Sequence, residues 1–361
     1  MNKASRRIQL AGPQQVQSPR TGDISLGELH EIPGEESRFE GSIIGAPIVS
    51  VLMVTYNHDK YVSQAIEGVI SQRCQFAIEL ILGEDCSTDH TREICVAYQK
   101  KYPHIIRLVT SEQNVGGYAN LMRLWARARG KYIAICDGDD YWCSTQKLDL
   151  QVARLEKECE SVLSFGACGV VRGFSEAEGI ALKPRRIRQT YSLEDHITKI
   201  SIPSCTALFR AGLVNYFPRW YERAGIGDWP LQLFHLKFGT SAYINMRLAT
   251  YRQHRGGTWS QSEAMRRWEL ENCVITNLND YFNGRYRNLF NIRRSKAYLA
   301  GMERQMVADG RYGITEYFRY VVRAPVNPFL SGATFWASLA HVGFPKAYSL
   351  MKRWRLLKRE L

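Results

Sequence analysis

The chain has 361 residues, 45% of them hydrophobic and 23% charged, which fits a folded protein with a substantial core and excludes a wholly disordered, collagen-like or disulfide-stapled chain. Lysine and arginine number 48 against 35 acids, a formal net charge of +13, so composition points to an anionic partner: nucleic acid, an anionic membrane surface or a phosphorylated substrate. The nine cysteines form no C-x-x-C pair, and Cys95 and Cys136 lie in apolar runs, which reads as reduced core thiols in a cytoplasmic protein.

Residues 1–46 are rich in Gln, Ser, Gly, Pro and charge without sustained apolar periodicity, and read as a flexible tail that carries no secretory signal. Order is predicted from Ile48. The run Ile48 to Val54 is β-branched and apolar, and similar runs recur at Ile78 to Leu82, Ile105 to Val109 and Tyr132 to Cys136. Their starts lie 30, 27 and 27 residues apart, the length of a βαβ unit. Between them, Val62, Ile66 and Val69 form one helical stripe, Ile94, Ala97 and Tyr98 a second, and Leu121, Leu124, Trp125 and Ala128 a third. Strands alternating with helices in this way predict an α/β fold with a mostly parallel sheet flanked by helices.

Beyond Trp142, Leu148, Val152 and Leu155 predict a helix, Val162 to Phe165 and Thr206 to Phe209 strands, Trp229 to Phe238 a helix and Met246 to Tyr251 a strand. From about Ser260 the chain reads as helical, aromatic and basic. The nearest approach to a membrane span, 324–345, is broken by Pro325, Pro328, Gly332 and Gly343.

In such sheets a ligand lies outside the carboxyl ends of the strands. Four polar segments stand there: Thr55 to His58, Glu84 to Ser87, Asn114 to Gly117, and Asp137-Gly138-Asp139-Asp140. Three carboxylates at the end of a buried strand repel one another and lose solvation, a cost that a bound cation removes. The other reading is an acidic turn that caps the next helix.

Taken in order, the Thr55-Tyr56-Asn57 segment, Glu84-Asp85-Cys86-Ser87-Thr88-Asp89, the Asn114-Val115-Gly116 loop and the D-x-D pair Asp137 and Asp139 resemble the motifs of glycosyltransferase family 2. The resemblance is strongest over 47–142 and continues more weakly to about 260. It implies a GT-A fold over 47–260, with a nucleotide-sugar donor, most simply UDP-linked, lying across the strand tips. The family's base and ribose contacts carry over to Thr55, Tyr56, Asn57 and Asp85, and the donor site would also include Glu84, Asn114, Gly116, Asp137 and Asp139. Glu84 and Cys86 replace the usual Asp and Gly.

Asp139 would meet the diphosphate through Mn²⁺ or Mg²⁺, since departing phosphates need an electrophile. Gly225 to Leu231 resembles the family's E-D-W segment with Gly227 in place of Glu, which puts Asp228 at the position of the general base of an inverting transfer. The same residue could cap the helix that starts at Trp229. Tyr251-Arg252-Gln253-His254 resembles a Y-R-x-H segment, with His254 a metal ligand or diphosphate donor and Arg252 or Arg255 facing phosphate. The family implies a glycan or lipid-linked acceptor and a setting in cell-surface polysaccharide synthesis at the inner face of the membrane, with no nucleic acid partner.

The C-terminal region 261–361 mixes Arg and Lys with aromatics, as in Tyr317-Phe318-Arg319-Tyr320 and Met351 to Arg355. It reads equally as a face for an anionic membrane surface or as a helical pack with a solvated basic side. Two other functions compete with transfer: a nucleotidyltransferase, which needs a Gly-rich basic loop where Thr55-Tyr56-Asn57 stands, and a non-catalytic carbohydrate- or membrane-binding protein of the same fold.

Overall fold

A computed structural model describes residues 19–37, 46–172, 181–254, 256–257, 264–310, 314–322 and, with gaps, 324–342. The readings of 1–18, 38–45, Arg255 and Met351 to Arg355 lie outside the described residues.

The four apolar runs form β3 (Val49–Thr55), β4 (Ile78–Glu84), β5 (Ile106–Thr110) and β6 (Tyr132–Ile135), joined by α2 (Val62–Ile70), α3 (Thr91–Lys101) and α4 (Gly117–Arg127). They pair in parallel in the order β6-β3-β4-β5, the arrangement that right-handed βαβ crossovers produce. Side chains alternate across this block. Leu52, Ile81, Ile133 and Ile135 face one core, whereas Val51, Met53, Leu80, Leu82 and Ala134 face the other, so each strand is buried on both sides. The predicted stripe of α2 is buried as Val62, Ile66 and Val69, with Ala65 added.

Antiparallel strands extend the sheet at both ends. β7 (Tyr141–Trp142), α5 (Lys147–Lys157), β8 (Ser161–Arg172), β9 (Ala181–Leu182), β10 (Thr190–Tyr191), α6 (Leu193–Thr198), β11 (Leu208–Arg210), α7 (Asp228–Leu236) and β13 (Thr240–Gln253) follow β6, with β12 (Tyr216–Pro218) between β11 and α7. β11 sits between β6 and β8 and is antiparallel to both, while β13 runs parallel to β8 and receives β7 on its far stretch. The sheet is therefore mixed, with a parallel centre.

Residues 19–37, expected in a flexible tail, are part of this fold. β1 (Asp23–Ser25) pairs with β12, α1 (Leu26–His30) packs on α4, and β2 (Glu35–Ser37) adds antiparallel to β5. Ile24 and Leu29 enter the core. Ser25 and Glu28 form a capping box at the start of α1, and Arg107 joins Glu36 at 2.8 and 2.9 Å to buried Glu79 at 2.8 Å. The segment has few apolar residues, but its partners are distant strands rather than its own neighbours.

The C-terminal region is helical where described: α8 (Ala264–Tyr281), α9 (Arg287–Ala308) and α10 (Ile314–Val322). Packing is continuous across residue 260, because Val274, Ile275, Leu278, Tyr281 and Phe290 belong to the same core as Phe234 and Trp229.

Candidate functional site

The parallel register brings the polar tips together. Thr55 lies opposite Glu84, and the chain after β6 extends the ladder as Gly138 donates to the Val54 carbonyl at 2.9 Å. Gly138 consequently lies against Thr55, where an added Cβ would come within 2.7 Å of Oγ1 and 3.0 Å of His58 Nδ1. This contact accounts for the glycine between the two aspartates. Thr55 Oγ1 is buried and has no hydrogen-bond partner.

Asp139, His58 and His254 gather at this edge, each offering a ligand atom within 4.8 Å of the others. His254 Nε2 lies 3.0 Å and His58 Nε2 3.8 Å from Asp139 Oδ2. Burial alone would raise the Asp139 pKa, but the His254 hydrogen bond and the adjacent His58 hold it below the usual carboxylate value. For His58 burial dominates and pushes the pKa down, which favours the neutral imidazole a metal requires. One carboxylate and two imidazoles form a mixed nitrogen and oxygen donor set, which a divalent first-row transition ion accepts more readily than oxygen-seeking Mg²⁺. His58 was not among the expected ligands, although it directly follows the Thr55-Tyr56-Asn57 segment.

Asp137 and Asp140 complete the acidic turn. Burial, with the carboxylates of Asp139 and Asp228 nearby, raises Asp137 to about 7, against a hydrogen bond from Ser204 Oγ at 3.3 Å. Buried Asp140 accepts the Arg252 amide at 2.9 Å and is also raised, first by burial and then by Asp139. Arg252, one of the two arginines expected to face phosphate, is buried. Its guanidinium lies 4.8 Å over the Tyr61 ring and 5.3 Å over Tyr141, and Nε donates to the Asp139 carbonyl at 2.9 Å. Arg252 therefore braces the acidic turn.

The other candidates divide by where they point. Tyr56 is 42% exposed at the rim. Asn57 adopts φ 55°, and its Oδ1 accepts the Thr88 amide at 2.8 Å. Glu84 and Asp85 turn inward: Glu84 accepts from the Ser87 amide at 2.6 Å and Arg92 Nε at 2.5 Å, and Asp85 accepts from the Val115 and Gly116 amides at 3.0 and 2.9 Å. Each oxygen of the two carboxylates has a protein donor, and Asp85 shapes the Asn114 loop. Asn114 donates to the Asp85 carbonyl at 3.0 Å, while Gly116 has φ 89° with open space beside it, so its glycine is required by conformation rather than by a close neighbour. Cys86 adopts φ 60° where the family usually has Gly.

Asp228 is the first residue of α7, not its cap, and accepts the Trp229 amide at 2.8 Å. Its side chain reaches the surface, yet desolvation by the protein packed around it raises its pKa, against the Trp229 amide bond and the Arg293 charge that lower it. Arg293 of α9 lies 4.8 Å over the Trp229 ring and bonds Glu271 of α8 at 2.5 Å, which places charged groups of the C-terminal helices beside Asp228. Sequence reasoning did not find either residue.

Known proteins share both the sequence and the architecture. The family model described as Glycosyl transferase family 2 matches residues 50–219. The uncharacterized protein Rv1520 of Mycobacterium tuberculosis (strain ATCC 25618 / H37Rv) is 30% identical over 231 residues, 61% of this chain and 64% of that protein, so this chain spans less than two thirds of that relative's length. The putative teichuronic acid biosynthesis glycosyltransferase TuaG of Bacillus subtilis (strain 168) is 30% identical over 213 residues, 57% of this chain and 79% of TuaG. Among solved structures, S. aureus TarS 1-349 in complex with UDP-GlcNAc superposes with a TM-score of 0.51 at 16% identity, covering 81% of this chain and 90% of that one. The mannosyltransferase PcManGT from Pyrobaculum calidifontis, in complex with GDP-Man and Mn²⁺, gives 0.53 at 14% identity, covering 90% and 88%. Those two likenesses establish the GT-A architecture. The chain belongs to glycosyl transferase family 2.

Proposed function

We propose that this glycosyltransferase is cation-dependent and inverting, and moves a sugar from a nucleotide donor, UDP-linked, to a hydroxyl of a cell-surface glycan or lipid-linked acceptor. The observation that carries the reading is the His58, Asp139 and His254 cluster at the edge where the tips of β3 and β6 meet. The mannosyltransferase neighbour, whose structure holds GDP-Man and Mn²⁺, and TarS, which holds UDP-GlcNAc, support a nucleotide-sugar donor. TuaG supports a surface-polysaccharide setting.

Asp139, His58 and His254 would hold the cation, which when bound neutralises the departing diphosphate. Arg252 fixes the backbone of Asp139 and the carboxylate of Asp140, so the ligand geometry is set before the donor arrives. Tyr56, exposed at the rim, offers a contact to the nucleotide above the buried Thr55, with the Asn114 to Gly116 loop held by Asp85. Asp228 accepts the acceptor proton as its oxygen attacks the anomeric carbon from the face opposite the leaving group. Its raised pKa strengthens it as a base.

Calorimetric titration with UDP, GDP and CMP, in Mn²⁺ and in EDTA, tests the reading. UDP binding that requires Mn²⁺ and is lost in Asp139→Ala and in His58→Ala is expected. No nucleotide binding in the presence of metal would return the chain to the non-catalytic reading.

A further inference from the structure

We infer that the C-terminal face built by α10 and the residues after it docks on an anionic membrane surface. Val322 is 82% exposed, Trp336 66%, Phe329 60%, Leu330 45% and Phe318 41%, which makes five of the nine large hydrophobic side chains exposed among the described residues. They stand on an ordered base. Tyr317, Val321 and Phe335 are buried against Tyr298, Leu299, Met302 and Met306 of α9. The Tyr317 hydroxyl donates to the Phe335 carbonyl at 3.1 Å, and Ser295 Oγ to the Asn327 carbonyl at 2.7 Å. One side of the segment thus serves the core, while the other presents apolar groups and a shallow groove between Thr315, Phe318, Arg319 and Val322.

Charge selects the occupant. Residues 311–342 hold three Arg and one Glu and residues 343–361 six Lys or Arg and one Glu, so two and five, or +7, of the formal +13 fall in the C-terminal stretch, most of it in the sequence that follows the face. A second copy would bring the same excess of positive charge and offer no complementary partner. Residues 343–361, whose net charge has the same sign as that of 311–342, offer no opposite charge either. A lipid surface with phosphate head groups supplies both the opposite charge and an apolar layer for Val322, Phe329 and Trp336. No helix among the described residues is long and apolar enough to cross a membrane, so the mode is docking rather than spanning.

α9 also carries Arg293, stacked on Trp229 beside Asp228. One helix thus joins the docking face to the surroundings of Asp228, a link that bears on acceptor delivery only on the reading of Asp228 as base, whereas the docking itself does not rest on it. Co-sedimentation of the full chain with vesicles of phosphatidylglycerol and phosphatidylcholine, against phosphatidylcholine alone, and without donor or metal, tests it. Expected are binding to the anionic vesicles only, weakening with added salt, and a loss of about tenfold or more in the Val322→Asp, Phe329→Asp, Trp336→Asp variant. That variant keeps the parent's circular dichroism, melting temperature and metal-dependent UDP binding. Equal association with both vesicle types, no association, or binding unchanged by the triple variant overturns the inference. So does a parent that is dimeric and a variant that is monomeric by light scattering, since the face would then serve a second copy. Anionic-vesicle binding seen only after deletion of 343–361 also overturns it, because that segment would be what covers the face.

Discussion

Asp228 combines two features that a general base needs and a helix cap does not. It is open to the surface, and the protein around it raises its pKa. Asp228→Asn keeps the acceptor for the Trp229 amide and removes only the basicity, so transfer should fall about 10²- to 10⁴-fold while UDP affinity in Mn²⁺ is retained. Steady-state rates beside a binding isotherm separate the two, and full activity in the variant would remove Asp228 as base. Gly138 carries a second prediction. Its α-hydrogen faces Thr55 Oγ1 and His58 Nδ1 where a Cβ would come within 2.7 and 3.0 Å, so Gly138→Ala must displace the Thr55 and His58 side chains. Mn²⁺-dependent UDP binding should weaken by about tenfold or more, with the chain still folded by circular dichroism. Unchanged affinity would mean that neither side chain matters to the site.

At the level of elements, what could be read in advance was what the chain repeats locally. The β-branched runs of β3 to β6 and the stripes of α2 to α4 carry their period within a few residues, and the polar tips follow because a parallel sheet aligns its carboxyl ends. The site was less legible where its geometry depends on distant partners. His58 joins a candidate ligand set only because Asp139 and His254, on β6's extension and β13's end, arrive beside it. Arg252 looked like a phosphate contact because the sequence cannot show Tyr61, Tyr141 and Asp139 closing around it. Residues 19–37 were misread for the same reason, although Ser25-Leu26-Gly27-Glu28 carries a capping-box spacing. If α1 is a core element, Leu29→Ala should destabilise the protein by about 2–5 kcal/mol in equilibrium urea unfolding. A change within a few tenths of a kcal/mol would mark 19–37 as an appendage.

The whole molecule holds two imidazoles that its chemistry does not use, and they link folding to pH. His196 bonds Ser241 Oγ at 2.7 Å through Nε2, with Nδ1 buried and unpartnered; His235 donates Nδ1–H to the Leu231 carbonyl at 2.8 Å, with Nε2 buried and unpartnered. Protonating either would place a charge in the core with no acceptor, and burial lowers them to about 3 and about 4. An unfolded histidine titrates near 6.5, so between that pH and the folded values the unfolded chain binds more protons and stability falls as pH falls. At pH 5 each imidazole should remove about 2 kcal/mol relative to neutral pH, and below the folded values no further loss follows. The carboxylates of Asp137, Asp140 and Asp228 act in the opposite sense, because their pKa values are raised in the fold and they bind protons there first as pH drops. The raw pH dependence is thus a difference between two sets of groups, and the informative quantity is the change in slope when one imidazole is removed. In urea unfolding followed from pH 7 to pH 5, His196→Gln and His235→Gln should each lower the mean ∂ΔG/∂pH by about two thirds of a proton equivalent, about 1 kcal/mol per pH unit. An unaltered slope in both variants would show that these histidines stay neutral in the unfolded chain or gain protons in the folded one.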